Sequence, residues 1–102
     1  MKKILFIAVA VLALASCKKA PIADFEIKTN PDLPIPGQRI FINTSSDADS
    51  YLWEFGDQLK RSSTKKDTLF IYPTNGVYMI KLTVKKGKKS NYKTKFINVE
   101  DY

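Results

Sequence analysis

The chain has 102 residues, one cysteine, no histidine and a formal charge of +7, with 26% charged residues of both signs. That length holds one domain with a modest core. A lone cysteine forms no internal disulfide, and a chain without histidine has no His/Cys metal cluster, no histidine triad and no imidazole general base.

The first element is Met1-Lys2-Lys3, a short positive segment, followed by an unbroken run of twelve apolar residues from Ile4 to Ala15. As a helix, such a run spans about 18 Å, well short of a hydrocarbon core of about 30 Å. This is the pattern of a helical secretory signal rather than a membrane span. It closes on Leu14-Ala15-Ser16-Cys17, which resembles the lipobox of bacterial lipoproteins. The resemblance implies that the Cys17 thiol is diacylated and that residues 1–16, the lipoprotein signal peptide, are then cut away. The simpler alternative is an ordinary signal with a cysteine nearby by chance. The chain's only cysteine stands directly behind Leu-Ala-Ser, which favours the lipobox. Two or more acyl chains hold a protein stably, where one does not. Residues 17–22 are then the lipidated cysteine and a short tether, with a reach under roughly 20 Å.

From Ala23 the apolar period is two, not 3.6. Ala23, Phe25 and Ile27 alternate with Asp24, Glu26 and Lys28 in a half-buried strand. Residues 29–37 hold Pro31, Pro34, Pro36 and Gly37 and read as a loop. Arg39 to Asn43 is a second strand whose facing stays open, because Ile40 and Ile42 oppose Phe41. Thr44 to Ser50 is a polar turn segment. Tyr51, Trp53 and Phe55 mark a third strand, stopped by Gly56-Asp57. Gln58 to Lys66 is polar, with room for one short edge strand. Asp67 to Tyr72 is a further strand, ended by the turn Pro73-Thr74-Asn75-Gly76. Val77 to Val84 is the clearest strand, with Tyr78, Ile80, Leu82 and Val84 facing one way. A hairpin around Gly87 leads to a last strand from Tyr92 to Val99. About six or seven short strands at regular spacing predict an all-β fold, an antiparallel β-sandwich over residues 23–101.

Three segments are similar to the PKD (polycystic kidney disease) domain family. Tyr51-Leu52-Trp53-Glu54-Phe55-Gly56-Asp57 resembles its Trp-Asp-Phe-Gly-Asp-Gly signature. Phe41-Ile42-Asn43-Thr44-Ser45 resembles the Phe-Thr-Asn-Thr-Ser stretch before it. Tyr72 to Val84 is similar to Tyr-x-x-x-Gly-x-Tyr-x-Val-x-Leu-x-Val. The likeness spans roughly residues 22–100 and implies an immunoglobulin-like sandwich with Trp53, Phe55, Gly56, Asp57, Tyr72, Gly76 and Tyr78 as its structural motif. Trp53 then fills the space between the sheets, Tyr78 makes a tyrosine corner, and Ile80 takes the place of the second immunoglobulin cysteine. Asn75-Gly76 suits a turn needing positive φ. The sequence departs from the pattern in three places. Glu54 replaces an aspartate, Gln58 replaces the last glycine and so alters the bend after Asp57, and Arg39 stands where an apolar residue is preferred.

Asp47, Asp49 and Asp57 raise the question of calcium, which some PKD-type domains bind. The loop lacks the oxygens and the distal glutamate of an EF-hand, and a solvated turn explains it better. The loops before and after the third strand lie at opposite ends of such a sandwich, so Asp47 and Asp57 should not share an ion. Asp57 is expected to hold the bend after its strand and not to catalyse. Thr44, Ser45 and Ser46 have no histidine to activate them. No metal, cofactor or catalytic residue is therefore expected.

Seven lysines, Lys81, Lys85, Lys86, Lys88, Lys89, Lys93 and Lys95, crowd the last hairpin. They read as guards of an exposed edge or, for Lys85, Lys86, Lys88 and Lys89, as contacts to an anionic surface. Strand order brings the hairpin tip to the tethered end, beside Asp47 and Asp49, which offset part of its charge. Nucleic acid is not expected as a partner of an exported chain.

The resemblance implies a non-catalytic module, here a membrane-anchored spacer or protein-interaction domain of the cell envelope. A carbohydrate-binding lipoprotein is the alternative, favoured if Tyr51, Phe70, Tyr92, Phe96 or Tyr102 form an exposed row. An enzyme is the third reading and is disfavoured. Lys18-Lys19 lacks the acidic character of a surface-export tag, which points to the periplasmic side, with the outer membrane as the expected site.

Overall fold

A computed structural model describes residues 19–29 and 35–102. The signal segment and Cys17 lie outside the described residues. Seven strands follow in chain order: β1 (Phe25–Lys28), β2 (Gln38–Asn43), β3 (Ser50–Glu54), β4 (Ser62–Ser63), β5 (Thr68–Ile71), β6 (Gly76–Lys86) and β7 (Lys89–Val99). They form two antiparallel sheets, one ordered β1-β2-β5 and the other β4-β3-β6-β7.

Phe25, Trp53, Phe55, Ile80, Leu82 and Val84 point inward as the alternation selects, while Tyr51 and Tyr78 on the same faces are half-buried. Phe25, Phe41, Trp53, Phe55, Phe70, Tyr72, Ile80, Leu82, Val84 and Val99 fill the core. Each sheet has one strongly apolar face, and burying the two against each other removes both from water. Aromatic rings run through this core as a continuous series. Trp53 meets Phe25 edge-on at 5.1 Å and Phe41 at 5.5 Å, Phe55 stacks on Phe70 at 4.4 Å, and Tyr72 joins Phe70 at 4.7 Å and Tyr78 at 4.3 Å. These centroid distances are those at which aromatic pairs attract beyond their area burial.

The facing of β2 resolves in favour of its aromatic. Phe41 is fully buried, between Trp53 and Phe55, and Ile40 and Ile42 lie half-buried on the outer face. Arg39 and Asn43 share the inward face with Phe41 and are buried. The polar stretch after Asp57 contains one two-residue edge strand, β4, whose Ser63 pairs with Trp53. β6 and β7 are longer than the apolar alternation suggests. Backbone pairing continues through the lysines to Lys86 and Lys89, across a two-residue connection of Gly87 and Lys88. Gly87 takes φ 60°, the glycine-first pattern of a type II′ turn.

The strand directions define two ends. The entry end gathers the start of β1, the β2–β3 loop and the β6–β7 hairpin. The far end gathers the starts of β2 and β6, the segment after β3 and residues 100–102.

Candidate functional site

The motif residues divide between the core and the far end. Trp53 is fully buried, and its indole N–H donates to the Lys65 carbonyl at 2.9 Å. Phe55 is buried beside it. Gly56 takes φ 76°, and a Cβ there would meet the Met79 carbonyl at 2.3 Å, so only glycine lets the chain cross β6 this closely. Burial works against the Asp57 carboxylate, yet the hydrogen bonds from Arg61 outweigh it and hold the group below the usual carboxylate range. The Arg61 backbone N–H donates to Asp57 Oδ1 at 2.9 Å and the Arg61 Nε–H to Oδ2 at 2.8 Å. That clasp closes the bend after β3, where Lys60 adopts φ 55°. Asp57 is thus engaged in shaping a turn.

Tyr72 is fully buried and its hydroxyl donates to the Phe55 carbonyl at 2.8 Å. Burial pushes its hydroxyl pKa up. Tyr78 donates to the Thr74 carbonyl at 2.8 Å, a bond from strand to preceding turn, and Gly76 opens β6 at the positive φ of 156° that glycine adopts readily.

A far-end cluster lies outside the motif. Arg39, buried, makes two bonds to the Asp101 carboxylate at 2.8 and 3.1 Å, and the Gly37 N–H donates to the same carboxylate at 2.7 Å. The hydrogen bond from Arg39, then that from Gly37, holds the Asp101 pKa down to about 2. The Tyr102 hydroxyl donates to the Tyr72 carbonyl at 2.6 Å, and Asn75 exchanges two bonds with the Tyr102 backbone. Arg39 signals this cluster in the sequence by departing from the expected apolar pattern; its partner, 62 residues away, carries no local signal.

At the entry end, Ile22 bridges to Ser46, Pro21 is buried, and the Asn91 side chain donates to the Pro21 carbonyl at 3.1 Å. Asp49 donates its backbone N–H to the Lys85 carbonyl at 2.8 Å, placing the Asp47–Asp49 loop beside the hairpin and a full strand from Asp57. Among the described residues no group of three or more His, Cys, Asp or Glu side chains gathers as a metal site.

Strand alternation splits the lysine cluster. The Lys81 amine lies over the Tyr92 ring at 4.6 Å on the outer face. Lys95 reaches from β7 across to β1, donating to the Phe25 carbonyl and pairing with Asp24 at 3.7 Å. Lys85, Lys86, Lys88 and Lys89 stand exposed at the tip. Of the candidate sugar-stacking aromatics, Phe70 is buried and Tyr51 half-buried. Tyr102 is 56% exposed but tied into the far end, while Tyr92 and Phe96 project from one face of β7 with 59% and 69% exposure.

Two outer faces carry apolar patches. On the three-stranded sheet, Leu69 and Ile71 are exposed next to half-buried Ile40 and Ile42. On the four-stranded sheet, Val77 and Met79 are exposed and Met79 pairs with Phe96.

Comparison with known proteins fits this geometry. The model of the family described as PKD domain matches residues 18–100, and that of the prokaryotic membrane lipoprotein lipid attachment site matches residues 1–17. The PKD1 domain of Vibrio anguillarum Epp superposes with a TM-score of 0.70 at 29% identity, over 83% of this chain and 99% of that one. The PKD1 domain of the Vibrio cholerae metalloprotease PrtV gives 0.66 at 32% identity, over 79% and 98%. A structure described as showing promiscuous specificity of carbohydrate-binding modules gives 0.65 at 27% identity, over 80% of this chain and 35% of that one. No curated protein matches the chain.

Proposed function

We propose that this chain, which belongs to the PKD domain family and carries a lipoprotein attachment site ending at Cys17, works as a non-catalytic interaction and spacer module of the bacterial envelope. Export and lipid anchoring to a bacterial membrane follow from the attachment site; the outer membrane, periplasmic face, is our assignment within that. The proposed domain is the sandwich itself, with residues 1–16 removed and Cys17 as the acylated start.

The observation that carries the interaction reading is the exposed apolar strip of Leu69 and Ile71 beside Ile40, on a sheet face that nothing in the chain covers among the described residues. Contiguous apolar surface on a small domain marks a place where another macromolecule sits. The ionisable groups point the same way. Asp57 is clasped by Arg61, Asp101 by Arg39 and Asp24 by Lys95, so these carboxylates serve the fold. The test is photo-cross-linking from position 69 of the lipidated protein in its own envelope. A discrete adduct that Leu69→Lys with Ile71→Lys abolishes supports the reading; the same adduct pattern from the double variant removes it.

Glycan capture is the second reading. Tyr92 and Phe96 project from one face of β7, four residues and about 13 Å apart, and sugars stack on such rings. The similarity to a structure containing carbohydrate-binding modules covers only 35% of that chain. A glycan array decides it: binding lost in Tyr92→Ala and Phe96→Ala, with no adduct from position 69, selects this reading over the first.

A further inference from the structure

Building on the reading of Cys17 as the membrane anchor, we propose that the tip of the β6–β7 hairpin is a headgroup-binding surface. Lys85, Lys86, Lys88 and Lys89 rest on anionic lipids of the membrane that holds the anchor, and so fix the orientation of the sandwich. Placement and charge support this independently.

Placement comes first. The Asn91 side chain holds the Pro21 carbonyl at 3.1 Å, Pro21 is buried, and Ile22 is bridged to Ser46. The folded body therefore begins at Pro21, on the strand that leaves the hairpin tip. Only Lys18, Lys19 and Ala20 separate Pro21 from Cys17, and four peptide steps reach at most about 14 Å. A domain held that closely presents its entry end to the headgroups, and the tip belongs to that end.

Charge is the second observation. The four tip residues are exposed, and Lys19 next to the anchor is exposed as well. The ion pairs Arg39–Asp101, Arg61–Asp57 and Lys95–Asp24 do not engage Lys85, Lys86 or Lys88. The opposing charges at this end are Asp47 and Asp49, the latter bonded through its backbone to Lys85. Asp24 is paired with Lys95, and the Asp67 carboxylate accepts the Asn43 N–H at 2.8 Å. The balance at the tip is positive. A Cβ built on Gly87 meets nothing within 4 Å, and the residues around it are exposed, so the turn is open to a surface. Guarding a strand edge accounts for Lys93 and Lys95, which lie along the outermost strand. It does not account for Lys88, which sits in the turn where no ladder remains. Near an anionic leaflet each such lysine strengthens contact by about fivefold, and the attraction fades over about 10 Å at 0.1 M salt.

The test uses the processed, lipidated protein in vesicles of phosphatidylcholine alone or with phosphatidylglycerol. The thiol of Cys17 is consumed by the lipid, so Ser90→Cys at the tip and Val77→Cys at the far end of the same sheet each give one labelling site. A fluorophore at each is read against headgroup-spin-labelled lipid. We expect strong quenching at position 90 and little at 77 with phosphatidylglycerol, lost when Lys85, Lys86, Lys88 and Lys89 are all glutamine or when salt is raised, while co-flotation persists. Equal quenching at the two sites, or quenching at position 90 that the four substitutions leave unchanged, overturns the proposal and leaves the anchor intact. Failure to co-float overturns the anchor reading and this proposal with it.

Discussion

At the far end of the sandwich, Arg39, Asp101, Asn75, Tyr72, Tyr78 and Tyr102 close on one another and on backbone carbonyls through bonds of 2.6–3.1 Å. At the entry end, the β6–β7 turn is exposed, with Lys85, Lys86 and Lys88 on its surface. The entry end has bonds of its own, Asn91 to Pro21 and Ile22 to Ser46, but its outermost part, the hairpin tip, is mostly side-chain charge. The difference shows how a disulfide-free domain of this size divides its sequence. Directional bonds between distant residues close the far end, and the hairpin tip keeps long exposed side chains such as Lys86 and Lys88 that retain rotamer freedom.

The largest effect is expected in the core between the two ends. Trp53→Ala removes the ring that joins β1, β2 and β3 and should cost about 3–5 kcal/mol, a large part of a small domain's stability. Thermal unfolding checks it: a melting temperature within a few degrees of wild type would contradict the core described here. Tyr72→Phe leaves the packing and deletes the buried bond to the Phe55 carbonyl. A loss of about 1–3 kcal/mol is expected in denaturant titration, showing how much one far-end hydroxyl contributes.

Acid sharpens the contrast further. The Asp101 carboxyl is depressed to about 2 by Arg39 and Gly37, against about 3.9 in an unfolded chain. Its contribution is therefore present in full above about pH 4 and is lost as the pH falls towards about 2. Asp57, also depressed, acts in the same direction. Asp101→Asn should lower the melting temperature at neutral pH and flatten the acid limb. Parallel curves for variant and wild type would mean that the pair does not couple to folding. The smallest effect belongs to the entry end: replacing the tip lysines with glutamine should move stability by no more than about 0.5 kcal/mol per substitution. A larger loss would show that the tip is structural after all.

How much of this was legible follows from the range of each signal. Period-two alternation is local, so Phe25, Trp53, Ile80, Leu82 and Val84 are readable as inward residues from the sequence. Gly56 is readable as a turn residue, although its close approach to Met79 is not. The facing of β2 was open because two isoleucines opposed one phenylalanine; ring contacts with Trp53 and Phe55 from the other sheet decide it. The extension of β6 and β7 through the lysines was hidden because backbone pairing needs no apolar side chain. The Arg39–Asp101 pair joins residues that only the finished fold brings together. Of the candidate site, the lysine tip was visible as a charge run, but the Asn91–Pro21 bond that locates it against the anchor was not.

The eleven-residue strands β6 and β7 have one more consequence. At about 3.3 Å per residue each is about 36 Å long, several times the roughly 8 Å over which a leaflet's surface potential decays at physiological ionic strength. In the proposed orientation, with the hairpin on the headgroups, these strands would hold the far-end loops beyond the reach of the lipid's electric field. A partner at that end would then meet the same local ionic conditions whether the leaflet below is rich or poor in acidic lipid.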